Sequence, residues 1–174
     1  MNQQAECPSD GKPIELHPIG YVRSERQEPM EHLHGQHGWD ERPCTIQLFS
    51  RHAGKLKGLT GYSHVVVLYW VHRWRVWRMP RHHHKPPGVK VFATRMPVRP
   101  NPIGLCVAEL VSFSPESGQV VLRNLDACDG SPVLDLKPYI PFFDSVPEAK
   151  IPAWVQEGLR THFGETSTRE ARPS

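Results

Sequence analysis

The sequence predicts a mainly β protein, a compact closed barrel of about seven short strands with a short helix and a C-terminal helix. Three observations lead there. The 174 residues include 18 prolines, where average usage gives about 9, and each ring removes a backbone donor and fixes φ. Apolar runs are short and bounded by turn residues, as strands in an all-β domain are. Only two segments carry a credible helical pattern, so a helix bundle is excluded.

In chain order, strands are predicted at 17–23, 44–49, 63–72, 89–95, 103–113, 119–125 and 132–137. The segment CTIQLF alternates apolar and polar residues, which marks a half-buried strand. The run SHVVVLYWVH is continuously β-branched and aromatic, which fits a strand covered on both faces. SPESG at 114–118 is a turn between two such runs and implies a hairpin. A short helix is expected near 51–60, weakened by Gly54 and Gly58. The terminal helix, 152–163, has Pro152 in its first turn and Trp154, Val155, Leu159 and Phe163 at helical spacing. The domain plan is a flexible tail over 1–14, the barrel over 15–145, a helix packing on it over 146–164 and a second tail over 165–174.

Composition narrows the function. The chain is 38% hydrophobic and 22% charged, which fits neither a membrane span nor a disordered polyelectrolyte. Its net charge of +3 permits nucleic acid without demanding it. Cys7, Cys44, Cys106 and Cys128 form no CxxC pair, so reduced thiols in a cytoplasmic protein are expected, with no metal site and no disulfide framework. No signal peptide precedes the first strand, and the longest apolar run, Val65 to Val71, is too short to span a bilayer. The signatures of Rossmann, P-loop, zinc-protease and serine-hydrolase sites are absent.

Four constellations carry candidate chemistry. In VFATRMPVRPNPIG, X-Pro pairs stiffen a loop that holds Arg95 and Arg99; this is either an anion clamp or a proline-braced crossover with solvated arginines. In LDACDGSPVLDLKPY, Asp126 and Asp129 flank a DG turn, and Asp135 and Lys137 share one strand face. That pair is either a structural ion pair or a site for an ammonium or ribose hydroxyl. HRWRVWRMPRHHHKPP interleaves cations with two tryptophans, as phosphate neutralisation and base stacking require, or it is a solvated basic loop. Its adjacent His82, His83 and His84 cannot all converge on one metal. Gly35 to Asp40, with Trp39, is either a lid or a packed loop.

VFATRMPVRPNPIG and LDACDGSPVLDLKPYIPFFDS resemble the TsaA-like (TrmO, YaeB-like) family, as do Ile19 to Ser24 and Gly58 to His64. The resemblance covers roughly residues 15–145. It implies a β-barrel that binds S-adenosyl-L-methionine without a Rossmann fold, usually as a homodimer. The activity it implies is methyl transfer to N6 of threonylcarbamoyladenosine beside the tRNA anticodon. By motif match, the cofactor would be held by His72, Arg73, Arg95, Leu105, Asp135, Leu136, Lys137 and Pro138. One departure is the loop MEHLHGQHGWDERP, where family members often carry Pro-Arg-Gln.

Methyl transfer to N6 benefits from positioning and from a base that takes the proton. His72, Asp135 and Asp126 are the candidates for that base. Arg73, Arg75, Arg78 and Arg99 are the candidates for tRNA phosphates. A small-metabolite methyltransferase and a non-catalytic RNA-binding barrel are the competing readings. The candidate dimer interface is the terminal-helix face of Trp154, Leu159 and Phe163.

Overall fold

The computed structural model describes residues 14–25, 42–73 and 85–163. Both predicted tails, the Gly35–Asp40 loop, Cys7, Arg75, Arg78 and the His82–His84 run lie outside the described residues.

Six strands close the barrel: β1 (Gly20–Arg23), β2 (Cys44–Leu48), β3 (His64–Trp70), β4 (Ile103–Ser114), β5 (Gln119–Arg123) and β6 (Pro132–Pro138). Around the barrel they run β1-β2-β5-β4-β3-β6, every neighbouring pair antiparallel. Alternate residues face inward. Val22, Ile46, Val65, Val67, Val120, Leu122 and Val133 are fully buried and fill the interior, each stabilising by about 1.5–3 kcal/mol through leaving water. The inside is a packed core, so ligand chemistry belongs to the ends or the outer surface.

β1 and β6 form a short closing seam, Gly20 opposite Val133 and Tyr21 opposite Pro132. Ile19 extends it by donating its amide to the Val133 carbonyl at 2.8 Å. Gly20 is required on its other side, where β1 meets β2, because an added Cβ would stand 2.3 Å from the Gln47 carbonyl oxygen.

Two ladders carry an extra residue. On β4, Val111 is passed over between the Leu110–Leu122 and Ser112–Val121 pairs. On β6, Leu134 is passed over between Val133, opposite Tyr69, and Asp135, opposite Leu68. Each is a β-bulge that bends its strand for closure. The second also changes which face comes next. Strict alternation would put Asp135 and Lys137 on Val133's inward face. The bulge turns them outward, and Leu136 packs against the core instead.

The predicted seventh strand at 89–95 does not form. Residues Val91–Ala93 make a 3-10 turn, and the Val91 carbonyl accepts from the Thr94 amide at 3.0 Å, the Thr94 hydroxyl at 2.8 Å and Arg99 Nη1 at 3.1 Å. Local donors win because β3 and β4 pair directly and leave no open edge. The predicted helix near 51–60 shortens to α1 (Ser50–Ala53) and a 3-10 turn at Gly54–Leu56. Gly58 and Gly61, at φ 95° and 91°, turn the chain into β3. The 114–118 hairpin forms as predicted, with Gly118 at φ 71° donating its amide to the Ser114 carbonyl at 2.8 Å.

Beyond β6, a single turn of helix, α2 (Pro141–Asp144), displays Phe142 and Phe143 to solvent. The predicted terminal helix is α3 (Ala153–Phe163), with Pro152 accepting the first two amide bonds. Trp154 and Val155 are half-buried and Leu159 is exposed. No helix among the described residues is long and apolar enough to cross a membrane.

Candidate functional site

The motif residues assemble in two adjoining places: one end of the barrel, and the outer face of β4, β3 and β6.

At the barrel end, the chain leaving β3 carries His72 and Arg73, and the turn before β6 carries Asp126 to Ser131. Tyr69 ties the two together. It is buried, and its hydroxyl donates to the Asp126 carbonyl. Burial, ahead of the neighbouring Asp126 carboxylate, pushes the phenol well above its ordinary value and keeps it a neutral donor. The ring lies against Gly104, its partner in register. A Cβ there would stand 2.3 Å from Tyr69 Cζ, so the glycine of PNPIG makes room for the ring. Cys106, next inward on β4, donates its thiol to the Asn124 carbonyl at 3.1 Å. Asn124 sits at φ 61°, a left-handed conformation that asparagine tolerates.

The DGSP turn docks on β1 like a short extra strand. The Gly130 amide donates to the Val22 carbonyl at 2.9 Å, and the Val22 amide to the Ser131 carbonyl at 3.0 Å. Asp129 Oδ1 accepts the Ser24 amide at 3.1 Å. Ser131 is 2% exposed, and its hydroxyl shares a hydrogen bond with His72 Nδ1 at 3.3 Å. Burial, then the Arg73 charge, lowers the His72 pKa, with Asp129 opposing. At neutral pH the imidazole is therefore uncharged and able to accept a proton.

On the outer face, register aligns Leu105, Leu68 and Asp135 in one row across three strands. Arg95 Nη2 donates to the Leu105 carbonyl at 3.0 Å, which fixes the guanidinium beside that row. Lys137 Nζ lies 2.5 Å from Asp135 Oδ2, and Asp135 Oδ1 accepts the Leu136 amide at 2.9 Å. The Asp135 carboxylate raises the Lys137 ammonium above its usual value. Ile103 and Leu105 expose apolar surface on the same face. Two cations, a carboxylate and exposed apolar surface on one wall are groups that could hold an amino-acid headgroup joined to a nucleoside, the chemistry of S-adenosylmethionine.

The other predicted residues are placed differently. Leu136 turns its side chain toward the core, and Pro138 pairs with Val65 where β3 begins. Arg99 Nη1 donates to the carbonyls of Val91 and Thr94 at 3.1 and 2.8 Å, bracing its own loop. Arg75 and Arg78 lie outside the described residues. No group of three or more His, Cys, Asp or Glu that could hold a metal occurs among the described residues. Two concavities flank the site. One, of about 380 Å³, is lined by Arg23, Ser24, Arg42 and Thr45 among others. The other, of about 290 Å³, lies in the loop of Lys85, Lys90, Val91 and Met96.

With this geometry in place, the comparison with known families is decisive. A family model described as the tRNA-methyltransferase O N-terminal domain matches residues 22–145. The chain belongs to that family. A Methanothermobacter thermautotrophicus protein, named a probable S-adenosyl-L-methionine-binding protein, is 40% identical over 76% of this chain and 95% of its own. The Escherichia coli tRNA (adenine(37)-N6)-methyltransferase is 38% identical over 56% of this chain. The crystal structure of TrmO from Pseudomonas aeruginosa superposes with a TM-score of 0.62 at 34% identity over 80% of this chain. The chain thus spans nearly all of the archaeal relative, but 44% of the E. coli enzyme and 62% of the P. aeruginosa chain.

The roles of three residues at the barrel end escaped sequence reasoning. Tyr69 and Gly104 looked like plain strand positions, and only the cross-strand register joins them. Ser131 looked like turn chemistry alone. The available signal was the S in DGSP, since a buried hydroxyl seeks a partner.

Proposed function

We propose that this chain transfers the methyl group of S-adenosyl-L-methionine to N6 of threonylcarbamoyladenosine, the nucleoside 3′ of the tRNA anticodon. The observation that carries the reading is His72, whose Nδ1 shares a hydrogen bond with the buried Ser131 at the barrel end, on the chain that continues from the β3 residue Leu68 of the outer row. Membership of the tRNA-methyltransferase O family supports it.

When bound, the cofactor supplies a sulfonium methyl, an electrophile that needs no metal. Arg95 and Lys137 would pair with its carboxylate, and Asp135 with its ammonium or a ribose hydroxyl. Leu105 would give its apolar parts a floor. The N6 lone pair is delocalised into the purine and the urea, so loss of the N6 proton as the new bond forms lowers the barrier. His72 takes that proton at the ring nitrogen that Ser131 does not hold. Methyl transfer from the bound cofactor to N6 would leave S-adenosylhomocysteine, with the N6 proton on the His72 imidazole. Asp126 then serves through its backbone, as the anchor of the turn. Cations around the end of β3, Arg73 among them, would meet tRNA phosphates.

The active form is a homodimer in this reading. The exposed Phe142 and Phe143 offer apolar surface that a second copy could cover.

Nucleoside mass spectrometry of tRNA from a strain lacking the gene, with and without its restoration, tests the substrate. Methylated threonylcarbamoyladenosine should vanish and return. Unchanged tRNA nucleosides alongside intact cofactor binding by calorimetry would instead assign a small-molecule acceptor. Asp135→Ala should weaken cofactor binding in the same calorimetry.

A further inference from the structure

Phe92 stands outside every role assigned so far. It sits in the 3-10 turn Val91–Ala93 and is 77% exposed, although an exposed phenylalanine gains nothing for the fold. Its backbone is nonetheless tightly held. The Val91 carbonyl accepts three hydrogen bonds, and the Ala93 amide donates to the Lys90 carbonyl at 3.1 Å. The Arg99 guanidinium, pinned by two carbonyls, lies over the ring 5.7 Å from its centroid. The loop therefore presents an aromatic ring backed by a cation on one side.

In sequence, its charge has one sign. Between Glu41 and Glu109 the chain has no acidic residue, and that stretch carries more than half of the 21 Lys and Arg. Lys85, Lys90, Arg95 and Arg99 all belong to the Phe92 loop. A rigid, cation-backed ring on a loop without acids matches an unpaired nucleobase with its phosphates, because every base has a π-face and carries an anion beside it.

We propose that Phe92 is a stacking platform for an unpaired base of the RNA substrate, with Arg99 as its backing and Lys90 near the adjoining phosphates. This rests on the tRNA reading above and adds to it a named contact that selects single-stranded over paired RNA.

The test uses the full chain, S-adenosylmethionine by calorimetry, and a synthetic anticodon stem–loop RNA by fluorescence anisotropy at several salt concentrations. Phe92→Leu should bind the stem–loop between about 5- and 150-fold more weakly, the range expected for losing one stacked base. Its salt slope and cofactor affinity should match wild type. Lys90→Gln should instead lower the salt slope. Phe92→Trp should restore binding. The proposal is overturned if Phe92→Leu binds the stem–loop as wild type does, or loses cofactor affinity in step. A change in sedimentation for Phe92→Leu would assign the ring to a second copy of the chain and equally overturn it. If wild type binds the cofactor but not the stem–loop, the tRNA reading falls as well; if only the Leu result fails, that reading stands.

Discussion

At the scale of single residues, the barrel end depends on two neutral groups, each held to the turn before β6 by a hydrogen bond. His72 is the first. In the unfolded chain it takes a proton near its ordinary value of 6.5, whereas in the fold burial and Arg73 delay protonation to lower pH. The unfolded state then binds more protons just below pH 6.5, so stability falls as pH drops through that window and levels once both states are protonated. His72→Gln should remove this part of the acid sensitivity in urea melts taken across the window. The methyl-transfer rate should be flat at neutral pH and fall on the acid side; a rate still climbing on the alkaline side would give the proton to another group. Tyr69 is the second. Tyr69→Phe keeps the ring over Gly104 but leaves the Asp126 carbonyl without its donor, a loss of about 1–3 kcal/mol in chemical denaturation. Gly104→Ala crowds the same ring and should cost a similar amount by overpacking. Sequence reading reached His72 through its motif. It missed Tyr69 and Ser131, because each is defined by a partner more than fifty residues away.

At the scale of elements, the loop from Lys85 to Pro102 shows how a strand-like sequence becomes something else. VKVFATR has β-branched residues and alternation, yet a strand needs an edge to pair with, and the closed ladder offers none. Thr94 and Arg99 supply the competing donors. Arg99→Ala should remove one of the three donors to the Val91 carbonyl and the guanidinium's bond to the Thr94 carbonyl, and so loosen the loop. Amide exchange over 90–99 should then accelerate while β3 and β4 stay protected. Equal acceleration in β3 would mean that the loop braces the barrel itself. The strands proper were legible, because a buried interior imposes period-two patterning on all of them. The loop was not, because its outcome is set by what the sheet leaves unpaired.

At the scale of the molecule, closure turns a motif list into a site. The barrel holds a solid core, and the residues that match the family motifs lie on its end and outer wall. Closure itself hangs on the short β1–β6 seam. Gly20→Ala pushes a methyl into the Gln47 backbone, so the variant should unfold at lower denaturant than wild type, or fail to accumulate. Gly54→Ala, with open space around it, is the control. The sequence anticipated a barrel with a short helix and a terminal helix, but not the single turn α2. The count of six strands, and the side of the wall that carries the charges, followed only from the ladder.

That last point has a consequence for how β6 tolerates change. Val133 and Leu136 answer to interior volume, while Asp135 and Lys137 answer to whatever lies against the outer wall. A scan of single substitutions along β6, scored once for folding and once for methyl transfer, should resolve into two interleaved sets of positions. The alternation between the sets should skip a beat at Leu134, where one unpaired residue hands the strand over from filling the barrel to facing outward.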